Sequence, residues 1–269
     1  MVSNLLQANV EDIFETVLAD VDDELLVVDP SGETVVALVE AGIERSDLPR
    51  LSMLVAERTL KDVMNEFLVA SRAADLVADG RLSLRLLPDG ADNTLFVSDS
   101  RVLALVSTGT NVAALSTDDP EFVADVSETY RDAFADAEEF PLRTPPISRV
   151  RETMDAEIGE ATRTDFDAVL ESMENDDGEP LDEVTVSLLV AAKNDVLLYD
   201  ISKWGEDVGI ASKATFSRTK TRLEDMGLID TEKVPIDVGR PRLRLKLGDE
   251  RLIGVDASEL VAVARRSLN

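Results

Sequence analysis

Apolar positions along the chain recur at helical spacing in some stretches and at alternating spacing in others. Residues 5–20 place Leu6, Val10, Ile13, Phe14 and Val17 on one stripe, which predicts an amphipathic helix. ELLVVDP closes on the turn residues Pro30, Ser31 and Gly32, so Leu25–Val28 reads as a buried strand. A short helix or strand is expected over 34–39. LSMLVAE (51–57) reads as another buried strand, followed by a long helix carrying Leu60, Val63, Met64, Phe67, Leu68, Ala74 and Leu76 and closing at Gly80. RLSLRLLP alternates, NTLFVSDS and RVLALVST follow as strands across a turn at Asp99 and Ser100, and VAALST adds one more. Pro120, after two aspartates, starts a helix that runs to about Phe140. This order predicts an α/β layered domain over 1–140.

PLRTPP (141–146) breaks the pattern. A helical connector is expected over 141–180, with Ile147, Val150, Met154, Ile158, Phe166, Val169, Leu170 and Met173 on its apolar stripe and a hinge-like loop at ENDDGEP. From Leu181 the organisation changes. VTVSLLVAA predicts a helix, Leu198 and Ile201 lead a short second one that stops at Gly209, and Ser212 caps a third. Phe216, Leu223 and Met226 face inward on that third helix, Gly227 supplies a left-handed stop, and Leu228 and Ile229 begin a strand. Val234, Ile236 and Val238 alternate, as do Leu243, Leu245 and Leu247, with DVGRPR between them as a turn. A short helix, a turn, a longer helix and a hairpin form a winged helix-turn-helix over 181–250, of α+β class, with a C-terminal helix over 251–269.

Charge changes the picture. Asp and Glu number 55 against 27 Lys and Arg, giving −28. The acid lies in foldable, periodic segments, which argues against disorder and for a haloarchaeal protein kept soluble by hydrated carboxylates in molar salt. Yet between Lys203 and Lys246 ten basic residues face seven acidic ones, a local excess of +3. Phosphate contact is the simplest reason for that excess. With Phe216 and Leu223 turned inward at about 100° per residue, Ser217, Arg218, Thr221 and Arg222 turn outward. Ser212, Lys213, Thr215, Ser217, Arg218, Thr221 and Arg222 are the DNA-binding candidates on the helix, and Arg240, Arg242 and Arg244 those on the wing. Arg218 and Lys213 suit guanine edges, and Arg240 at the wing tip suits the minor groove. Trp204 reads as a core plug.

The chain has no His and no Cys. That excludes disulfides, thiolate zinc sites, cysteine nucleophiles and the Ser-His-Asp triad. No cofactor or metal site is expected, no apolar run approaches a membrane span, and the N-terminus does not read as a signal peptide; a cytoplasmic, soluble protein is expected.

SKATFSRTKTRLEDMGLI together with GRPRLRLKL resembles archaeal winged-helix regulators, and the whole chain resembles the haloarchaeal TbsP type, named as suppressors of the sugar-responsive regulator TrmB. The resemblance implies a transcription factor acting on central carbon metabolism genes, including glycolysis and gluconeogenesis, with functional interplay with a TrmB-like regulator. RLSLRLLPDGADNTLFVSDSRVLALVST and the following acidic helix look like the phospholipase-D-like sensor module of TrmB-type proteins. Active members of that fold need a His-Lys-Asp set, and this chain has no His. TrmB also carries its DNA module first, the reverse of the order here.

Three readings of the front domain follow. It senses an effector, a sugar or sugar phosphate held by Arg58, Ser71, Arg72, Arg85, Thr108 and Gly109; or it is a dimerisation or protein-interaction scaffold; or it is a carboxylate- and Lys-based enzyme. Double-stranded promoter DNA and a second copy of the chain are the expected partners, without a membrane.

Overall fold

The computed structural model describes residues 3–7, 23–88, 90–107, 112–174, 181–236, 241–249, 251–252 and 254–268. The chain divides into two compact units, Met1–Leu142 and Arg143–Asn269.

The first unit is built on a seven-stranded mixed sheet with the order β1-β7-β6-β5-β2-β3-β4. The strands are β1 (Ser3–Gln7), β2 (Glu24–Val28), β3 (Arg50–Ala56), β4 (Leu82–Leu87), β5 (Leu95–Val97), β6 (Val102–Ser107) and β7 (Val112–Thr117). β2, β3 and β4 are parallel, and the remaining pairs are antiparallel. The helices are α1 (Gly32–Glu44), α2 (Glu57–Val63), α3 (Phe67–Ala78) and α4 (Pro120–Asp136).

The period of two along a strand decides which layer each side chain joins. Leu25 and Val27 of β2 enter a core with Val35, Leu38, Leu60, Ala73 and Leu76 from α1, α2 and α3. Leu26 and Val28, one position on, enter a second core with Val97, Val102 and Val123, covered by Val126, Tyr130 and Phe134 of α4. β2 is buried on both faces and therefore reads as an unbroken apolar run. α1 starts on Ser31, whose hydroxyl accepts the Thr34 N–H at 3.2 Å, and α4 starts on Asp119, which accepts the Phe122 N–H at 3.0 Å ahead of Pro120. The edge of β4 is closed by the segment after α4, through Leu86 N–H to Glu138 O at 2.8 Å and Phe140 N–H to Leu84 O at 3.0 Å.

Three expectations change here. Ser3–Gln7 form a strand paired with β7, not the start of a helix, and residues 8–22 of that expected helix lie outside the described residues. The single long helix before Gly80 is two, α2 and α3, separated at Met64–Glu66. The choice left open over 34–39 falls to helix, inside α1.

The second unit contains α5 (Ile147–Glu157), α6 (Glu160–Glu174), α7 (Glu183–Lys193), α8 (Leu198–Val208), α9 (Lys213–Asp225), β8 (Ile229–Val234), β9 (Arg242–Leu247) and α10 (Ala257–Leu268). α5 and α6, expected as a connector, are part of this unit's body. Trp204 of α8 is 1% exposed and donates its indole N–H to Thr153 Oγ1 of α5 at 3.0 Å. Asn194 at the end of α7 donates to Asp165 of α6 at 2.7 Å, and Ser172 of α6 donates to the Ser258 carbonyl of α10 at 2.7 Å. None of the described helices is long and apolar enough to cross a membrane.

Candidate nucleic-acid interface

α8, its turn and α9 form the helix-turn-helix. Gly209 stops α8 at φ 97°, a left-handed conformation that glycine adopts without strain. Ser212 then caps α9, its hydroxyl accepting the Thr215 N–H at 3.2 Å. The inner face of α9 is Phe216 and Leu223, both fully buried. The outer face carries Lys213, Ser217, Arg218, Thr221 and Arg222, all exposed, while Thr215 is half-buried. The hydroxyls are partly occupied: Ser212 and Thr215 oxygens lie 3.1 Å apart, Thr215 accepts from Arg218 at 3.3 Å, and Thr221 donates back to the Ser217 carbonyl at 3.1 Å.

The hairpin β8–β9 runs Ile229 opposite Leu247 to Val234 opposite Arg242. Its first strand begins at Ile229, where Leu228 and Ile229 were expected to start one, and ends at Val234, so the separate strand expected through Val234, Ile236 and Val238 shares only its first residue with β8. Ile236 is exposed beyond it, and Val238 lies outside the described residues. The leading signal was Leu228–Ile229, both buried. β9 is tied to the rest of the unit through Leu245 N–H to Val196 O at 2.9 Å. Arg240 lies outside the described residues.

The cations do not stand free. Lys213 pairs with Glu206 at 2.5 Å, Arg222 with Asp182 at 3.3 Å, Arg242 with Asp200 at 3.4 Å, Arg244 with Glu232 at 3.8 Å and Lys246 with Asp195 at 2.7 Å. Lys203 and Lys220 pair within their own helices, with Asp207 and Glu224. Asp195, Asp200 and Glu206, on α8 or its entry, reach cations beyond that helix, so the first helix of the motif holds cations of both the second helix and the wing. Among the described residues, only Arg218 and Lys233 of the cations from Lys203 to Lys246 have no carboxylate partner. Hydrogen bonding to Glu206 raises the Lys213 ammonium above its ordinary range and lowers the Glu206 carboxyl below its own.

Arg222 is exposed but turned toward α7, where it also donates to Thr185 Oγ1 at 3.1 Å, beside the Asp182 cap of that helix. Its expected role as an outward DNA contact is thus shared with a structural one. Tyr199 was missed in the sequence. It is 49% exposed on the first turn of α8, and the Arg242 guanidinium lies 4.5 Å over its ring. An aromatic just before an acidic N-terminal helix position, in a chain poor in aromatics, was the available signal.

Two family models cover nearly the whole chain. Residues 2–145 match "Transcriptional regulator TbsP-like, N-terminal", and residues 146–265 match "Transcriptional regulator TbsP-like, C-terminal HTH domain". The chain belongs to the TbsP-like transcriptional regulators. Its second unit is therefore a DNA-binding helix-turn-helix of that family. No curated protein matches the regulator. Among solved structures, TrmBL2, an archaeal chromatin protein, is similar at 19% identity and a TM-score of 0.40, covering 52% of this chain and 54% of its own. The regulator thus spans about half the length of TrmBL2. Nuc, a phospholipase D family member from Salmonella typhimurium, is similar at 11% identity and a TM-score of 0.37, covering 52% of this chain and 99% of its own. NucT from Helicobacter pylori stands at 8% identity and 0.33, with the same coverage of 52% and 99%.

Four of the six front-domain effector candidates of the TbsP-like chain lie among the described residues. Ser71 is fully buried in α3. The Arg85 guanidinium donates to the carbonyls of Phe134, Ala135 and Ala137 at 2.8, 2.8 and 3.1 Å, and stacks 4.9 Å over the Phe134 ring. It thereby caps the C-terminus of α4, where a cation complements the helix dipole. Arg58 pairs with Asp62 at 3.7 Å with its side chain 93% exposed. Arg72 is half-buried on α3. Thr108 and Gly109 lie outside the described residues. A cavity of about 300 Å³ opens between Val77, Leu82, Ser83, Leu84 and residues 139–142, and none of the four described candidates lines it.

Proposed function

We propose that this TbsP-like regulator binds double-stranded promoter DNA as a homodimer, with α9 in the major groove and the β8–β9 wing along the flanking backbone. The observation that carries the reading is Arg218. In a chain of net charge −28 it stands at the centre of the outer face of α9, exposed and without a carboxylate, beside Ser217 and Thr221. A guanidinium with no carboxylate partner there suits a bidentate contact to a guanine edge. Symmetric pairing would set two such helices about 34 Å apart.

The reading extends to a haloarchaeal cytoplasm, where the acidic surface keeps the protein hydrated in molar salt, and to central carbon metabolism genes shared with a TrmB-like regulator, as the family resemblance implies. A sugar or sugar phosphate is the effector the same resemblance implies. A front unit that serves as a dimerisation or interaction scaffold is the second reading, and two observations favour it. Ser71 and Arg85 are committed to the fold, and the sheet face at β6 and β7 leaves Val106 and Leu115 at 41% and 48% exposure.

A genome-wide occupancy map in cells, paired with binding of the purified protein to the occupied fragments in concentrated KCl, tests the first claim. Absence of binding to every promoter fragment refutes it. Thermal melts with a panel of sugar phosphates separate sensor from scaffold, because a ligand of the folded state raises the midpoint.

A further inference from the structure

The N-terminal end of a helix favours an anion, because its first backbone N–H groups have no helical acceptor and the dipole is positive there. At α9 that end is already occupied. The Lys213 N–H points to Glu206 Oε1 at 3.3 Å, and the Lys213 ammonium to Glu206 Oε2 at 2.5 Å. One carboxylate from α8 thus holds both donors that a phosphate oxygen would take. The local sequence builds this contact: Gly209 turns the chain so that a residue near the end of α8 meets the first residue of α9. The two side chains are 43% and 45% exposed, so the pair can part without opening the core.

We propose that Glu206 is an autoinhibitory phosphate mimic, which occupies Lys213 and the start of α9 in the free protein and which a DNA phosphate must displace. The inference rests on the winged-helix reading above and adds a competitor to it. While Glu206 stays in place, Lys213 contributes no net ionic contact, and the carboxylate repels the backbone beside it. The regulator therefore binds DNA more weakly, and with a shallower dependence on salt, than its basic residues would give.

The test uses the full chain as wild type, Glu206→Gln, Lys213→Gln and the double variant, against mixed-sequence double-stranded DNA of about three helical turns, over a KCl series. Glutamine keeps the carbonyl that accepts the Lys213 N–H and removes only the charge. Glu206→Gln is expected to bind about three- to tenfold tighter, with its log–log salt slope steeper by about 0.9, the value of one added phosphate contact. Lys213→Gln weakens binding, because Glu206 is then left without its counter-charge, and in the double variant it removes most of the gain, a coupling that a double-mutant cycle reads directly. Unchanged or weaker binding by Glu206→Gln, when wild type binds, overturns the inference alone and leaves the winged-helix reading standing. Failure of wild type and Glu206→Gln alike to bind the duplex overturns both.

Discussion

Gly205 of α8 packs against the ring of Phe216 in α9: a β-carbon at Gly205 would stand 2.3 Å from the Cε2 and Cζ atoms of Phe216. The two helices of the motif can approach this closely only because residue 205 has no side chain. Phe216 is fully buried and cannot move aside into solvent. Gly205→Ala is expected to destabilise the second unit by about 1–3 kcal/mol through overpacking. Denaturant unfolding measures this, and Phe216→Leu in the same chain should recover part of the loss. A neutral Gly205→Ala would mean that α8 and α9 are not packed as described.

Arg218 and Arg222 sit one turn apart on α9 and should behave differently. Arg218→Ala is expected to cost about 1–3 kcal/mol of discrimination between a target duplex and mixed-sequence DNA, with little change in stability. Arg222→Ala removes the contact to Asp182 and Thr185 as well, so its first effect should be a lowered melting midpoint. Competition binding beside calorimetry separates the two. Equal loss of discrimination for both variants would put Arg222 on the DNA and sink the distinction.

Arg85 offers a test of the front unit. Its guanidinium serves three carbonyls at the end of α4, and charge-assisted bonds of this kind are the stronger class. Arg85→Gln should destabilise the first unit by about 1–3 kcal/mol. It should do so equally with and without sugar phosphates. A variant of unchanged stability that loses a ligand-induced melting shift would restore Arg85 to an effector site.

These residues show where sequence patterning succeeds. The helix-turn-helix was legible because its punctuation is local: a glycine stop at Gly209, a serine cap at Ser212 and a glycine stop at Gly227 fix the ends of α8 and α9. β2 was legible because burial on both faces leaves no polar interruption. β1 was not, since its pairing with β7 is a contact across the whole domain and its apolar spacing fits a helical stripe as well. The break at Met64–Glu66 carries no Gly or Pro; α3 instead packs on α1, where Leu76 fills the space beside Gly42. The charged site was legible as composition and misleading as geometry. Counting ten cations could not show that seven of them are held by carboxylates drawn from other turns and helices.

Glu183 gives the stability of the second unit a pH dependence of unusual sign. It lies in the first turn of α7, and burial raises its carboxyl above the ordinary value, with the neighbouring Asp182 adding to the rise and a backbone hydrogen bond opposing it. A group whose folded pKa exceeds its unfolded one binds more protons in the native state through that interval. Stability therefore falls as pH rises from below the unfolded value through the folded one, and stays lower above it. Glu183→Gln is accordingly expected to be more stable than wild type at neutral pH. The difference should vanish below about pH 3, where glutamate is protonated in both states. Unfolding curves of the two proteins across that range decide it: a Glu183→Gln that is less stable at neutral pH would show that the carboxylate's place at the start of α7 outweighs its burial.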